Sequence, residues 1–167
     1  MKKYFILSCI ITGFLYSCNE KPIEKKPFLV EKIQNFNAIY PNWDNNDLVR
    51  DSISKIFIDS VNSWFVNDKV LEGIPVQIYE VGKADEKGET IKYGLGRLGA
   101  IYESGTLNMS LSLMITDSMA NVINNDRQYY IKGKILKNLY APEGLSRGEY
   151  DLGKYRVKVD SLFVKNK

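Results

Sequence analysis

Leu107-Asn108-Met109-Ser110-Leu111-Ser112-Leu113-Met114-Ile115 is the stretch whose period decides the fold. Apolar side chains occupy every odd position, and Asn108, Ser110 and Ser112 alternate with them. Successive side chains of a strand point to opposite faces, so this pattern makes a strand with one buried and one wet face. Working outward, Ser104-Gly105 turns the chain into it, and Thr90 to Glu103 precedes it as a glycine-rich second strand. Ala84-Asp85-Glu86-Lys87-Gly88 is a polar turn. Before that turn, Ile74, Val76 and Ile78 alternate with Pro75, Gln77 and Tyr79 in a first strand from about Val70 to Val81. Pro75 has no N–H to give a ladder, so it belongs at an edge or a bulge.

Downstream, Asp117 caps a short helix that turns Met119, Val122 and Ile123 inward, and Asn124-Asn125-Asp126 closes it. Gln128 to Tyr140 reads as a fourth strand, with Tyr129, Ile131 and Ile135 on one face and Tyr130, Lys132 and Lys134 on the other. A long loop from Ala141 to Gly153 leads to a last strand, Lys154 to Val164. There Tyr155, Val157, Val159 and Phe163 point inward, opposite Lys154, Arg156, Lys158 and Asp160.

Upstream the period changes. Asp44 or Asn46 supplies an N-cap, and Val49, Ile53, Ile56, Phe57, Ser60, Val61, Trp64 and Phe65 recur at steps of three and four. That is the apolar stripe of a helix packed on the sheet. Arg50, Asp51, Ser54, Lys55 and Asn62 take its opposite side, and Asn67-Asp68 ends it. Asn19 to Pro41 mixes charges with Pro22 and Pro27 and reads as an extended tether.

A helix, three strands, a short helix and two strands: this order is similar to that of the OB fold, whose helix lies between its third and fourth strands. The resemblance covers about Val70 to Val164. It rests on topology, on the glycine-bent second strand and on Tyr130-Ile131-Lys132-Gly133-Lys134-Ile135 after a capped helix. It implies a mainly β domain with an N-terminal helix, a five-stranded barrel like those of small OB-like envelope lipoproteins. A β-sandwich or an open antiparallel sheet with a helix satisfies the same periods.

The first residues carry a different signal. Lys2 and Lys3 precede an apolar run from Tyr4 to Leu15, the layout of a secretory leader and too short to span a bilayer. Leu15-Tyr16-Ser17-Cys18 follows and resembles the lipobox of bacterial lipoproteins, with Tyr16 where a smaller residue is more usual. The resemblance implies cleavage before Cys18, acylation of its sulfur and anchorage to a membrane. One acyl chain binds marginally and two or three bind firmly. The domain boundaries expected are a signal peptide over 1–17, a lipid-anchored linker over 18–42 and one domain over 43–167. The address implied is the bacterial cell envelope, on the periplasmic face of the outer membrane.

Composition excludes several chemistries. Loss of residues 1–17 takes Lys+Arg from 23 to 21 against 20 Asp+Glu, so no strong basic field remains to collect nucleic acid. The chain has no His, and its two Cys are Cys9 in the leader and Cys18 under the lipid. Ser-His-Asp and Cys-His schemes are thereby removed, with zinc on His or Cys, haem on His and iron–sulfur clusters. No cofactor or metal is expected.

Three motifs remain. Gly94-Leu95-Gly96-Arg97-Leu98-Gly99 spells GxGxxG, but a dinucleotide site needs a helix to open there; an alternating strand follows, so the glycines serve strand bending. Glu80, Glu89, Glu103 and Asp117 show no spacing that marks a glycosidase pair, and Asp117-Ser118-Met119-Ala120-Asn121 lacks the glycine and distal Glu of a calcium loop. The third is a basic ladder: Lys132, Lys134 and Lys137 on one strand, Lys154, Arg156 and Lys158 on another, with Tyr130 alongside. If the strands pair, Tyr130, Lys132, Lys134, Arg156 and Lys158 form a ligand-binding face for an oligosaccharide or anionic envelope polymer. The expectation is a non-catalytic binding module; the alternative is a structural or assembly lipoprotein with a protein partner.

Overall fold

The computed structural model describes residues 26–86, 88–102 and 105–164, with the backbone alone for 99–102. Residues 1–17, Cys18 and the start of the expected linker lie outside that range. The chain runs α1 (Phe28–Ile39), α2 (Asp47–Trp64), β1 (Pro75–Glu86), β2 (Glu89–Tyr102), β3 (Gly105–Ile115), α3 (Asp117–Val122), β4 (Gln128–Tyr140), β5 (Gly144–Ser146) and β6 (Glu149–Val164). It is mainly β with a few helices.

The strands pair in the order β3-β2-β1-β4-β6-β5, and β3 also pairs with β6. The five long strands therefore form a closed cycle, β1–β2–β3–β6–β4–β1. Four of its pairings are antiparallel; the closing one, β3 to β6, is parallel. Pro75 opens β1, a position where a missing N–H costs the ladder least. The odd residues of β3, Leu107 to Ile115, are all buried, joined inside by Val76, Ile78, Ile131, Val157 and Val159. β6 changes partners at Gly153: before it the strand lies between β3 and β5, after it between β3 and β4. Gly153 has φ +85°, and a Cβ there would stand 2.6 Å from the Tyr140 carbonyl oxygen, so a side chain is excluded twice over.

Several expectations are corrected. The extended tether contains α1, whose Leu29, Ile33 and Phe36 are buried in the common core. Their helical spacing starts only after Pro27, and the charged residues upstream mask it when the segment is read as a whole. The helical stripe of α2 is rotated. Phe57 and Val61 are buried, but Val49 and Ile56 are exposed, while Arg50 and Ser54 sit on the packed side. Both polar residues are accepted because they find partners. Arg50 meets Asp44 at 2.7 Å and Asp47 at 2.6 Å; the Ser54 hydroxyl accepts from the Leu145 N–H at 2.9 Å and donates to its carbonyl at 3.4 Å. Those contacts also explain β5, a short sixth strand inside the expected loop, held between α2 and β6.

Two further side chains expected inside are outside. Val122 lies on the exposed side of α3, whose N-cap is Thr116 rather than Asp117. Phe163 is exposed because the β4–β6 register shifts between Lys132↔Ser161 and Gly133↔Val159, which reverses the alternation and turns Leu162 toward the core instead. An aromatic cluster ties the helices to the sheet. Phe36 of α1 packs edge-on against Phe57 of α2, with 5.2 Å between centroids, and Phe57 meets Tyr150 of β6 at 5.7 Å. No helix among the described residues is long and apolar enough to cross a membrane.

Candidate anion-binding face

The antiparallel register of β4 on β6 sets Lys134 opposite Lys158 and Lys137 opposite Arg156. The parallel register of β3 on β6 continues each row: Lys158 faces Met114, Arg156 faces Ser112 and Lys154 faces Ser110. β2 then adds Tyr93, Leu95 and Arg97 opposite those three β3 residues. Three rows result across four strands: Tyr93-Met114-Lys158-Lys134, Leu95-Ser112-Arg156-Lys137 and Arg97-Ser110-Lys154-Tyr140. All twelve side chains are exposed or half-buried, while Leu111, Leu113, Tyr155 and Val157 between them are buried.

The ladder is thus one continuous face. Adjacent strands lie about 4.8 Å apart and every second residue along a strand advances about 6.7 Å, so the cations stand on a grid of roughly that mesh. Tyr130 and Lys132 lie farther along β4, beyond the three rows: Tyr130 is opposite Phe163, and the Lys132 ammonium sits 5.6 Å from the Phe163 ring centroid. Lys154 sits at the same distance over Tyr140. Of the residues expected to form the site, Lys134, Arg156 and Lys158 come together closely, and Tyr130 and Lys132 flank them.

Among the described residues, Arg156 differs from the lysines of the face in having an acidic partner. Its Nη1 donates to both carboxylate oxygens of Glu86, at 2.7 and 2.9 Å. Glu86 ends β1, so at this pair the tip of the β1–β2 hairpin meets β6. A cavity of about 500 Å³ lies there, lined by Glu86, Tyr93, Leu95, Ser112, Met114 and Arg156, among others. The Tyr93 ring lies over Gly82: a Cβ at Gly82 would be 2.7 Å from the Tyr93 hydroxyl. That hydroxyl donates to Glu80 at 3.2 Å, and the bond to the carboxylate raises the tyrosine's pKa.

Asn108, Ser110 and Ser112 put no aromatic on the wet face of the third strand; Tyr93 supplies one from the second strand, a residue not singled out among the candidates above. Its signal was available. In Tyr93-Gly94-Leu95-Gly96-Arg97, the larger residues alternate with glycines, so they share one face and the glycines the other. Gly94 and Gly96 are buried on the inner face. β2 is continuous through GxGxxG with no helix opening, and a Cβ at Gly96 would stand 3.0 Å from Val76 Cγ1. Among the described carboxylates, Asp117 pairs with Lys92 at 2.8 Å, which lowers its pKa.

No family model, curated protein or solved structure matches the chain.

Proposed function

We propose that the protein is a lipid-anchored component of the bacterial cell envelope, held by Cys18 on the periplasmic side of the outer membrane, and that its domain binds an acidic envelope polymer without transforming it. The closed cycle of strand pairings, its parallel β3–β6 closure and the helix between β3 and β4 support reading the sheet as a five-stranded OB-like barrel to which α1, α2 and β5 are added. The Leu15-Tyr16-Ser17-Cys18 motif supports the anchor.

One observation carries the ligand class. Lys134 faces Lys158, and Lys137 faces Arg156, directly across strands. Like charges in that position oppose pairing, and Glu86 offsets only one of the four. A polyanion lying along the rows would relieve both repulsions at once. A uniform basic field of the kind that gathers nucleic acid is not needed for this; the charge is local and set on one face. The exposed Leu136, Tyr140, Phe163 and Val164 on the same two strands favour a second reading, a protein partner.

The test uses the full chain in detergent. Polygalacturonate should bind with an affinity that falls as salt rises, and dextran should not. The triple variant Lys134→Gln, Lys137→Gln, Lys158→Gln should bind about 10- to 100-fold more weakly, taking roughly 0.5–1 kcal/mol per exposed cation. Equal binding of dextran and polygalacturonate, or an unaltered triple variant, would refute the face. Crosslinking in cells that recovers one stoichiometric envelope protein through Tyr140 or Phe163 favours the second reading. For the anchor, radiolabelled palmitate should label the wild type and leave Cys18→Ser unlabelled and released from the membrane fraction.

A further inference from the structure

The Arg156–Glu86 pair has features of an occupied binding subsite. One nitrogen of the guanidinium takes both carboxylate oxygens, although the group offers a planar fork suited to a bidentate oxyanion. The carboxylate comes from the end of a hairpin, not from a strand packed beside Arg156. Arg156 is one-quarter exposed, Glu86 about two-fifths, so the pair is reached by solvent and is worth little to stability. It borders a cavity of about 500 Å³, within the range of small-ligand sites. The walls divide by chemistry: Tyr93, Leu95 and Met114 offer an apolar side, and Ser112 and Arg156 a polar one. A sugar ring has the matching division, an apolar C–H face and polar edges.

We infer that Arg156 is a subsite for the carboxylate of an acidic sugar, and that Glu86 occupies it in the free protein as an intramolecular competitor. The inference rests on reading the face as an anion-binding surface and names the unit that surface selects. Binding then exchanges one carboxylate for another on Arg156, lays the ring against Tyr93 and Met114, and frees the end of β1. The rest of the polymer continues along Lys158, Lys137 and Lys134. Asp85 lines the same cavity but is engaged by the Thr90 hydroxyl at 2.8 Å, so it contributes charge without occupying the guanidinium.

The experiment follows the Nε–H resonance of Arg156 in the arginine-labelled full chain in detergent micelles, titrated with tetragalacturonate and with its fully methyl-esterified form. The acid should shift the resonance saturably and the ester should not. Glu86→Gln removes the competitor's charge and should lower the half-saturating concentration about two- to fivefold, the range an exposed ion pair supports. Asp85→Asn removes an equal charge from the same cavity and should change it less. A Glu86→Gln variant that binds no more tightly than wild type, or no more tightly than Asp85→Asn, overturns the competition; so does an ester that binds like the acid. Polygalacturonate retention that persists after such a result leaves the lysine rows standing and removes only the subsite. A tetragalacturonate response at Arg156 with no effect of the triple lysine variant does the reverse.

Discussion

Tyr155 lies on β6 between Lys154 and Arg156 of the basic face and points the other way. Its ring stacks on Phe65 at the end of α2, with 4.2 Å between centroids and 19° between planes, and the residue is 2% exposed. Among the described residues its hydroxyl has no hydrogen-bond partner. A buried hydroxyl in that state loses its hydration for nothing, at a cost of about 1–3 kcal/mol. Tyr155→Phe keeps the ring, the stack and nearly all the volume while deleting the orphaned group. At pH 7 the variant should therefore be more stable than wild type by about 1 kcal/mol, taking the low end because a small void replaces the oxygen. For a domain of this size that raises Tm by about 3 °C.

A second signature separates this mechanism from better packing alone. Burial, with a smaller contribution from Asp151, pushes the Tyr155 phenol up to about 12 from 10.0. The folded state then holds a proton that the unfolded chain has released, so stability is complete below pH 10 and is lost as pH rises toward 12. At pH 11 the loss from this one group is about 1.4 kcal/mol, since each unit of differential protonation is worth that much. The phenylalanine variant is spared it. Urea unfolding should show the gap between the two proteins widening from about 1 kcal/mol at pH 7 to about 2.4 kcal/mol at pH 11. Tyr129→Phe is the control in the other direction. Its hydroxyl accepts from the Asn124 N–H at 2.7 Å and donates to the Val122 carbonyl at 3.3 Å, so its loss should destabilise by about 1 kcal/mol. A Tyr155→Phe protein less stable than wild type, or a gap that does not change with pH, would refute the reasoning.

Gly133→Ala should be far more damaging than Gly94→Ala, although both glycines lie in strands. A Cβ at Gly133 would stand 2.4 Å from the Lys158 carbonyl oxygen, so β4 and β6 must separate; at Gly94 the nearest atom is 3.4 Å away. Thermal unfolding should show a cost of about 2–3 kcal/mol for the first and under 1 kcal/mol for the second, with polygalacturonate binding weakened only by the first. On the acid side, Lys92, with Lys83 behind it, holds the Asp117 carboxylate below its usual range. That stability is present above the ordinary carboxylate pKa and is lost as pH falls through the lowered one. Asp117→Asn should therefore flatten the acid limb of the stability profile, read by urea midpoints between pH 5 and 2, and leave the neutral-to-alkaline limb unchanged.

What the chain announces locally, its residues convey unaided. The period of Leu107–Ile115, the full extent of Gln128–Tyr140, Asn46 as one of two candidate caps and the short helix after β3 all depend on neighbours within one element. The Leu15-Tyr16-Ser17-Cys18 motif and the absence of histidine are likewise matters of sequence. Tertiary structure decided the rest, because it depends on which strand lies beside which. A bulge in β6 turned Phe163 outward, Asp44 and Leu145 made Arg50 and Ser54 acceptable on the packed side of α2, and the core gave α1 a place to bury Leu29 and Phe36. The basic face is the clearest case. Its lysines are visible along β4 and β6, but the rows that join them to Tyr93, Leu95 and Arg97 exist only through the β2–β3–β6–β4 register. The Glu86 carboxylate reaches Arg156 only because the hairpin folds back across seventy residues of sequence.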